Sequence, residues 1–297
     1  MSERGPLIYA GYTQAELDAA YTQREWADNM EVLLKQWAAA APDVRARTHG
    51  YREVRYGAGP VEVLDVYPAG EGARFAHFHI HGGAWRGQSK SDGAFLAPLM
   101  NELRTNFIVP DFGKLPATRM PDVLQQLVAA LAWTYRDQIE RGVVEKLLIS
   151  GHSSGAHMVA LLAQQDWGAL GIDPAAILGA VCISGAYDLE PVILSARGSY
   201  IDLSADEAWA LSPIHHVENC RVPLHVLYGA NESPEFIRQA CAFSAALHGA
   251  GKLAACREIA HKNHFEILQA LATAEDPSVQ FLRAIIGEPD IPRASAY

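Results

Sequence analysis

From residue 13 to residue 41 apolar and small side chains return at helical spacing, as Leu17, Ala20 and Tyr21 and then Trp26, Met30, Leu33, Leu34 and Trp37, until Pro42 breaks the pattern. This predicts a helical N-terminal arm over residues 1–45. Two β-rich stretches follow at 51–56 and 61–67. Between them Gly57-Ala58-Gly59-Pro60 supplies the turn chemistry of an antiparallel hairpin. Beyond it, short apolar runs at 75–80, 106–110, 147–150, 177–184, 224–228 and 255–259 alternate with helix-like segments near 121–139, 155–165, 234–248 and 265–272. That alternation predicts βαβ units, an α/β architecture with a mostly parallel sheet and helices on both faces. No repeat of fixed period and no Ser/Gly linker divides the chain, so residues 1–297 read as one domain. Residues 190–210 interrupt the alternation and are the candidate for a small cap.

Composition narrows the function classes. The 297 residues are 49% hydrophobic, with 24 Gly and 16 Pro, which suits a globular chain. Against 34 Asp and Glu stand 24 Lys and Arg, a formal net charge of −10, and no basic run occurs. Nucleic acid and an anionic membrane surface are therefore not the expected partners. Residues 1–12 contain Glu3 and Arg4 and an apolar run only from Leu7 to Ala10, too short for a signal-peptide core. No stretch reaches the ~18 apolar residues of a membrane span, so a cytoplasmic location is expected. Cys182, Cys220, Cys241 and Cys256 are widely spaced, without a C-x-x-C pair, and read as reduced thiols.

The strongest chemical signal is Gly151-His152-Ser153-Ser154-Gly155, between the apolar Leu147-Leu148-Ile149 and the helix-forming 156–162. On a strand-to-helix turn, flanking glycines allow a bend that lifts a serine hydroxyl above the sheet edge. The next backbone N–H, that of Ser154, then faces a developing oxyanion. Upstream, His81-Gly82-Gly83-Ala84-Trp85 follows the strand at 75–80. There the N–H groups of Gly82 and Gly83 would complete an oxyanion hole, where a Cβ would obstruct the substrate carbonyl.

A serine needs a histidine base, and the base needs a carboxylate. His261 and His264 both follow the last predicted strand, and His264 is favoured at the loop–helix junction. For the acid, Glu232 follows the strand at 224–228 and Asp188 follows that at 177–184; either loop can face the site. A rival constellation, His77, His79 and His81, shares one strand face as metal ligands do. No further ligand completes that set, and neither a metal nor a cofactor is expected.

With these motifs in place the chain resembles the α/β-hydrolase family and, within it, the serine-dependent kynurenine formamidases. The resemblance rests on Tyr12-Thr13-Gln14-Ala15-Glu16-Leu17, on His81-Gly82-Gly83-Ala84-Trp85, and on Gly151 through His157. It rests further on Ser184-Gly185-Ala186-Tyr187-Asp188-Leu189-Glu190-Pro191 and on Ser233-Pro234-Glu235-Phe236-Ile237-Arg238-Gln239. It implies Ser153 as nucleophile, His264 as base and Glu232 as acid, at a position where the family usually carries Asp. Residues 195–203 also lack the Asn expected there.

The implied activity is hydrolysis of an aryl formamide such as N-formylkynurenine through an acyl-enzyme. Trp85 and the N-terminal arm would cover the aromatic leaving group. A carboxylesterase or a carbamate or aryl-amide hydrolase would use the same triad, and a non-catalytic binding protein of this fold would be expected to have lost Ser153 or the glycines. The expected partner is a small amide or ester, and a homodimer is compatible with the sequence.

Overall fold

The computed structural model describes residues 5–287; Glu3 and Arg4 at the start of the arm, and residues 288–297, lie outside the described residues. The strands are β1 (Leu7–Tyr9), β2 (Tyr12–Thr13), β3 (Arg52–Arg55), β4 (Val63–Tyr67), β5 (Phe75–Ile80), β6 (Thr105–Pro110), β7 (Lys146–His152), β8 (Ile177–Ile183), β9 (Leu224–Gly229) and β10 (Leu253–Ile259). The helices are α1 (Gln14–Tyr21), α2 (Met30–Arg47), α3 (Ala97–Glu102), α4 (Met120–Tyr135), α5 (Ser154–Ala163), α6 (Glu190–Leu194), α7 (Ala205–Ala210), α8 (Pro234–Gly249), α9 (Glu266–Ala270) and α10 (Pro277–Ile286).

The eight strands β3 to β10 form one sheet in the order β10-β9-β8-β7-β5-β6-β4-β3. Antiparallel pairing is confined to β3–β4 and β4–β6, and every other pair is parallel. The expected hairpin thus becomes one edge of a mostly parallel sheet. Central strands covered on both faces carry few polar side chains; β5 and β6 are buried along their whole length, and their polar residues His77, His79, Thr105 and Asn106 each make hydrogen bonds inside. The edge strands show the opposite pattern, with exposed Glu53 and Arg55 on β3 and exposed Arg257 and Glu258 on β10, which discourages further strand addition.

Alternate residues of β5 feed two cores. Ala76, Phe78 and Ile80 pack with α1, α4, α5 and α8, whereas Phe75 packs on the other face with α2, α3, α9 and α10. The chain passes from β5 to β6 on one side and returns to β7 on the other. Connections leaving β5 and β7 therefore diverge, and a crevice opens beyond their carboxyl ends. Register sets Ile80 opposite Gly151, so the residues that follow, His81-Gly82-Gly83 and His152-Ser153, emerge side by side.

The helical arm comes in two helices behind a short antiparallel hairpin, β1 with β2. Thr13 caps α1 in a reciprocal capping box with Glu16. After α1 the chain makes a tight turn at Gln23–Glu25 and restarts as α2. Pro42 does not end α2, which continues to Arg47. Proline removes one donor, and the carbonyl left without it belongs to exposed Ala38, where water can satisfy it. The last turn is held by Arg45, whose guanidinium donates to the buried carboxylate of Asp65 at 2.8 and 3.0 Å.

Residues 190–210 fold as α6, a short turn at Ala196–Ser199, and α7. They are laced to α1: Gln14 donates to the Leu194 carbonyl at 2.9 Å, and the Ala196 N–H donates to Asp18 at 2.6 Å. Among the described residues no helix is long and apolar enough to cross a membrane.

Candidate active site

Ser153 sits between β7 and α5 at φ +56°, ψ −120°, a conformation disfavoured for a side-chain-bearing residue. The turn exists because its neighbours lack Cβ atoms. One at Gly155 would lie 2.1 Å from the Ile80 carbonyl oxygen, and one at Gly151 would lie 2.4 Å from that of Gly155. The backbones of α5 and β5 therefore touch, and the Ser153 N–H donates to Ile183 on the next strand at 2.8 Å.

Beside this elbow the chain turns sharply after β5. Gly83 has φ +106°, a Cβ there would meet the Gly87 carbonyl at 2.3 Å, and Ala84 and Trp85 also hold positive φ. Gly83 and Ser153 share the wall of a cavity of about 290 Å³. Gly82 lies beside His152, 3.1 Å separating the His152 Nδ1 from a Cβ built on the glycine. Ser154 opens α5, where backbone N–H groups have no partner inside the helix.

His264 lies on the same cavity wall. Asn263 fixes its backbone: the Asn263 side-chain oxygen accepts from the N–H groups of Phe265 and Glu266, both at 3.0 Å, while the Asn263 N–H donates to the Glu266 carboxylate. The His264 Nδ1–H donates to Glu232 Oε2 at 2.8 Å. Since a carboxylate only accepts, this bond puts the proton on Nδ1 and leaves Nε2 with a lone pair. Glu232 is itself held through Oε1, which accepts from the Ser184 hydroxyl and from the Gly229 N–H, each at 2.6 Å. Both Glu232 and His264 are buried.

Asp188, the other candidate acid, is engaged elsewhere: its carboxylate accepts from the Tyr9 hydroxyl at 3.0 Å and from the Glu190 N–H at 3.1 Å. His261 is exposed. Trp85 corrects the sequence reading. It does not line the cavity but is 1% exposed, its indole N–H donating to His157 Nδ1 at 3.3 Å while His157 Nε2–H donates to the Leu211 carbonyl at 2.7 Å. The ring packs edge-to-face on His157 in the core behind the glycine turn.

The strand histidines form no metal centre; among the described residues no three His, Cys, Asp or Glu side chains come together to hold an ion. His77 Nε2 and His79 Nδ1 converge on the Ser150 hydroxyl at 2.5 and 2.7 Å. His81 instead stacks on Phe112, 4.5 Å between ring centres. Burial pushes the His77 imidazole down to about 3, so it stays neutral. His152 also falls to about 3, from burial and the nearby His264 ring, and its Nε2–H donates to the His264 carbonyl at 2.7 Å.

Several cavity residues carry no chemical motif. Met30 and Leu34, part of the apolar stripe of the arm, face the opening together with Gln23 and Arg197. Only the tertiary fold brings them to Ser153.

Comparison with known proteins agrees with this architecture. A family model described as alpha/beta hydrolase fold matches residues 77–267. A kynurenine formamidase of Danio rerio is 24% identical over 286 residues, covering 92% of this chain and 96% of that protein, and one of Salmo salar is 25% identical over 289 residues with the same coverage. An esterase of Mycobacterium tuberculosis is 30% identical over 200 residues, 58% of this chain and 45% of that one. Among solved structures, an esterase from Pyrobaculum calidifontis superposes with a TM-score of 0.68 at 18% identity, covering 86% of this chain and 93% of its own.

Proposed function

The chain belongs to the α/β-hydrolase family and is a hydrolase, and from that premise we propose that it cleaves an aryl formamide with a Ser153-His264-Glu232 triad. The observation that carries this reading is the 2.8 Å bond from His264 to Glu232 on the wall of the cavity that also holds Ser153. Ser153 Oγ attacks the formyl carbon while His264 Nε2 takes its proton. Glu232 holds the imidazole in the accepting tautomer and stabilises the imidazolium that forms. The N–H groups of Gly82, Gly83 and Ser154 receive the oxyanion, each donor contributing about 3 kcal/mol in sites of this kind.

Collapse of the tetrahedral intermediate breaks the C–N bond, and His264 passes its proton to the leaving arylamine. Water, deprotonated by His264, then attacks the formyl ester and releases formate and Ser153. A formyl group needs little space beside Gly83, while Met30, Leu34 and Phe265 offer an apolar wall to the aryl group. The similarity to kynurenine formamidases over most of the chain supports N-formylkynurenine as the compound to try first. A carboxylesterase with the same triad is the second reading, favoured by the identity to the mycobacterial esterase.

The test is kcat/KM for N-formyl-L-kynurenine beside a short p-nitrophenyl ester, in wild type and Ser153→Ala. Both activities should fall in the variant by on the order of 10⁴-fold or more. Preference for the formamide supports the first reading. Ester turnover with negligible formamide hydrolysis selects the second, and activity that survives in Ser153→Ala removes the triad altogether.

A further inference from the structure

Two polar side chains on the cavity wall have no use in the chemistry above and no adequate partner in the fold. Arg197, on the turn between α6 and α7, donates through Nη2 to the Tyr21 carbonyl at 2.6 Å. It lies 5.3 and 5.9 Å from the ring centres of Tyr21 and Phe236, and among the described residues no carboxylate pairs with it. Gln23, two residues beyond Tyr21, is 9% exposed, and neither its amide oxygen nor its amide nitrogen has a hydrogen-bond partner. Both line the cavity that holds Ser153 and His264.

A half-buried guanidinium without a counter-ion and a buried amide without partners are each costly. In a hydrolase cavity the guanidinium and the Gln23 amide nitrogen share one solution, a ligand group that accepts hydrogen bonds and carries negative charge. The remaining charges near Arg197 do not supply one. Glu235 is taken by Arg238 and by the Tyr21 hydroxyl, Asp18 by the Ala196 N–H and the Gln14 amide, and Glu232 by His264. Arg86, over the Tyr200 ring at 4.1 Å, adds a second positive charge near Arg197. Burial first, and then that neighbouring cation, push the Arg197 pKa down.

We propose that Arg197 and Gln23 form a carboxylate-binding subsite that holds an acid group on the leaving-amine side of the substrate. The planar guanidinium fork matches a carboxylate, and the Gln23 amide nitrogen provides a further donor. Phe236, 5.9 Å from the guanidinium, also packs 4.7 Å from the His264 ring, so one side chain stands between the subsite and the proposed base. This inference rests on the triad reading, whose substrate class it narrows to carboxylate-bearing aryl amides.

The experiment compares N-formylanthranilate with its neutral counterpart formanilide, as kcat and KM separately, in wild type, Arg197→Met, Arg197→Lys, Gln23→Leu and Ser153→Ala. Wild type should favour the anionic substrate, and Arg197→Met should lower the ratio of the two kcat/KM values about 10- to 100-fold, mainly through KM. Arg197→Lys should recover part of that ratio, and Gln23→Leu should lower it less. If wild type shows no preference, or if Arg197→Met lowers both substrates alike, the subsite is wrong and Arg197 only braces Tyr21. Persistence of activity in Ser153→Ala would instead defeat the triad reading, an outcome distinguishable from the other two.

Discussion

Glu232→Gln isolates the acid from the rest of the triad. In the native site Oε1 accepts from the Gly229 N–H, a backbone donor that cannot turn away. The glutamine must therefore set its carbonyl oxygen there and present its NH₂ to His264 Nδ1. Nδ1 can meet that donor only as an acceptor, so the imidazole proton moves to Nε2, the atom that has to accept from Ser153. The base is lost without a change of shape. A loss of this kind is worth on the order of 10⁴ in kcat, about 5.5 kcal/mol of transition-state stabilisation. Because the Gly229 and Ser184 bonds survive, the melting temperature should move by only a few degrees. The assay is kcat/KM on a p-nitrophenyl ester with a circular-dichroism melt of the same samples. Asp188→Asn is the control, since that carboxylate serves Tyr9 and the start of α6; its kcat/KM should stay within about 10-fold of wild type. A Glu232→Gln enzyme that loses less than about 10-fold, or an Asp188→Asn enzyme that loses as much, would refute the assignment.

Gly155→Ala puts a Cβ 2.1 Å from a backbone oxygen that cannot yield. It should cost about 1–3 kcal/mol in urea unfolding and, by shifting Ser153 against Gly83, about 100-fold in kcat/KM; a variant with wild-type stability and rate would contradict the contact. Stability should also fall on acidification. His77 and His152 are held down to about 3 and His157 to about 4, by burial first in each case, while the unfolded chain binds those protons near pH 6.5. Their contribution is present above about pH 6.5 and is lost as the pH falls towards 4, at about 1–2 kcal/mol each between pH 7 and pH 5. Unfolding midpoints that stay flat between pH 7 and pH 5 would show that these rings are not held neutral.

The sheet was legible because most of its strands are short, largely apolar runs between helix-length segments. Residues 75–80 read as a strand and fold as one. The arm was less so. Periodicity records which face of a segment is buried but not where a helix pauses, so the turn at Gln23–Glu25 was invisible. Proline is a reliable stop only where its missing donor matters, and at Pro42 the deprived carbonyl is in water. The hairpin of Leu7–Tyr9 with Tyr12–Thr13 is too short to leave any alternation. Trp85 misled for a related reason: its place beside two glycines suggested a ligand wall, but its ring is buried against His157, a contact that only the tertiary fold makes.

The same division runs through the site. Ser153, Gly82, Gly83, Glu232 and His264 could be proposed from the sequence because each follows a strand end with motif neighbours, and the register of Ile80 with Gly151 brings the first three side by side. Gln23, Met30, Leu34 and Arg197 come from segments outside the β–α alternation, where nothing but tertiary packing directs them to the cavity. The groups proposed to make and break bonds are thus tied to the sheet, while those proposed to choose a substrate sit on the arm and on residues 190–210. These two segments meet through Gln14, Asp18 and Tyr21, and the arm is tied to the rest of the fold through Tyr21 with Glu235, Trp37 with Gln269 and Arg45 with Asp65. On the proposed reading a change of substrate requires no change in the sheet: replacing Gln23 and Arg197 should alter what the cavity accepts while Ser153, His264 and Glu232 keep their supports.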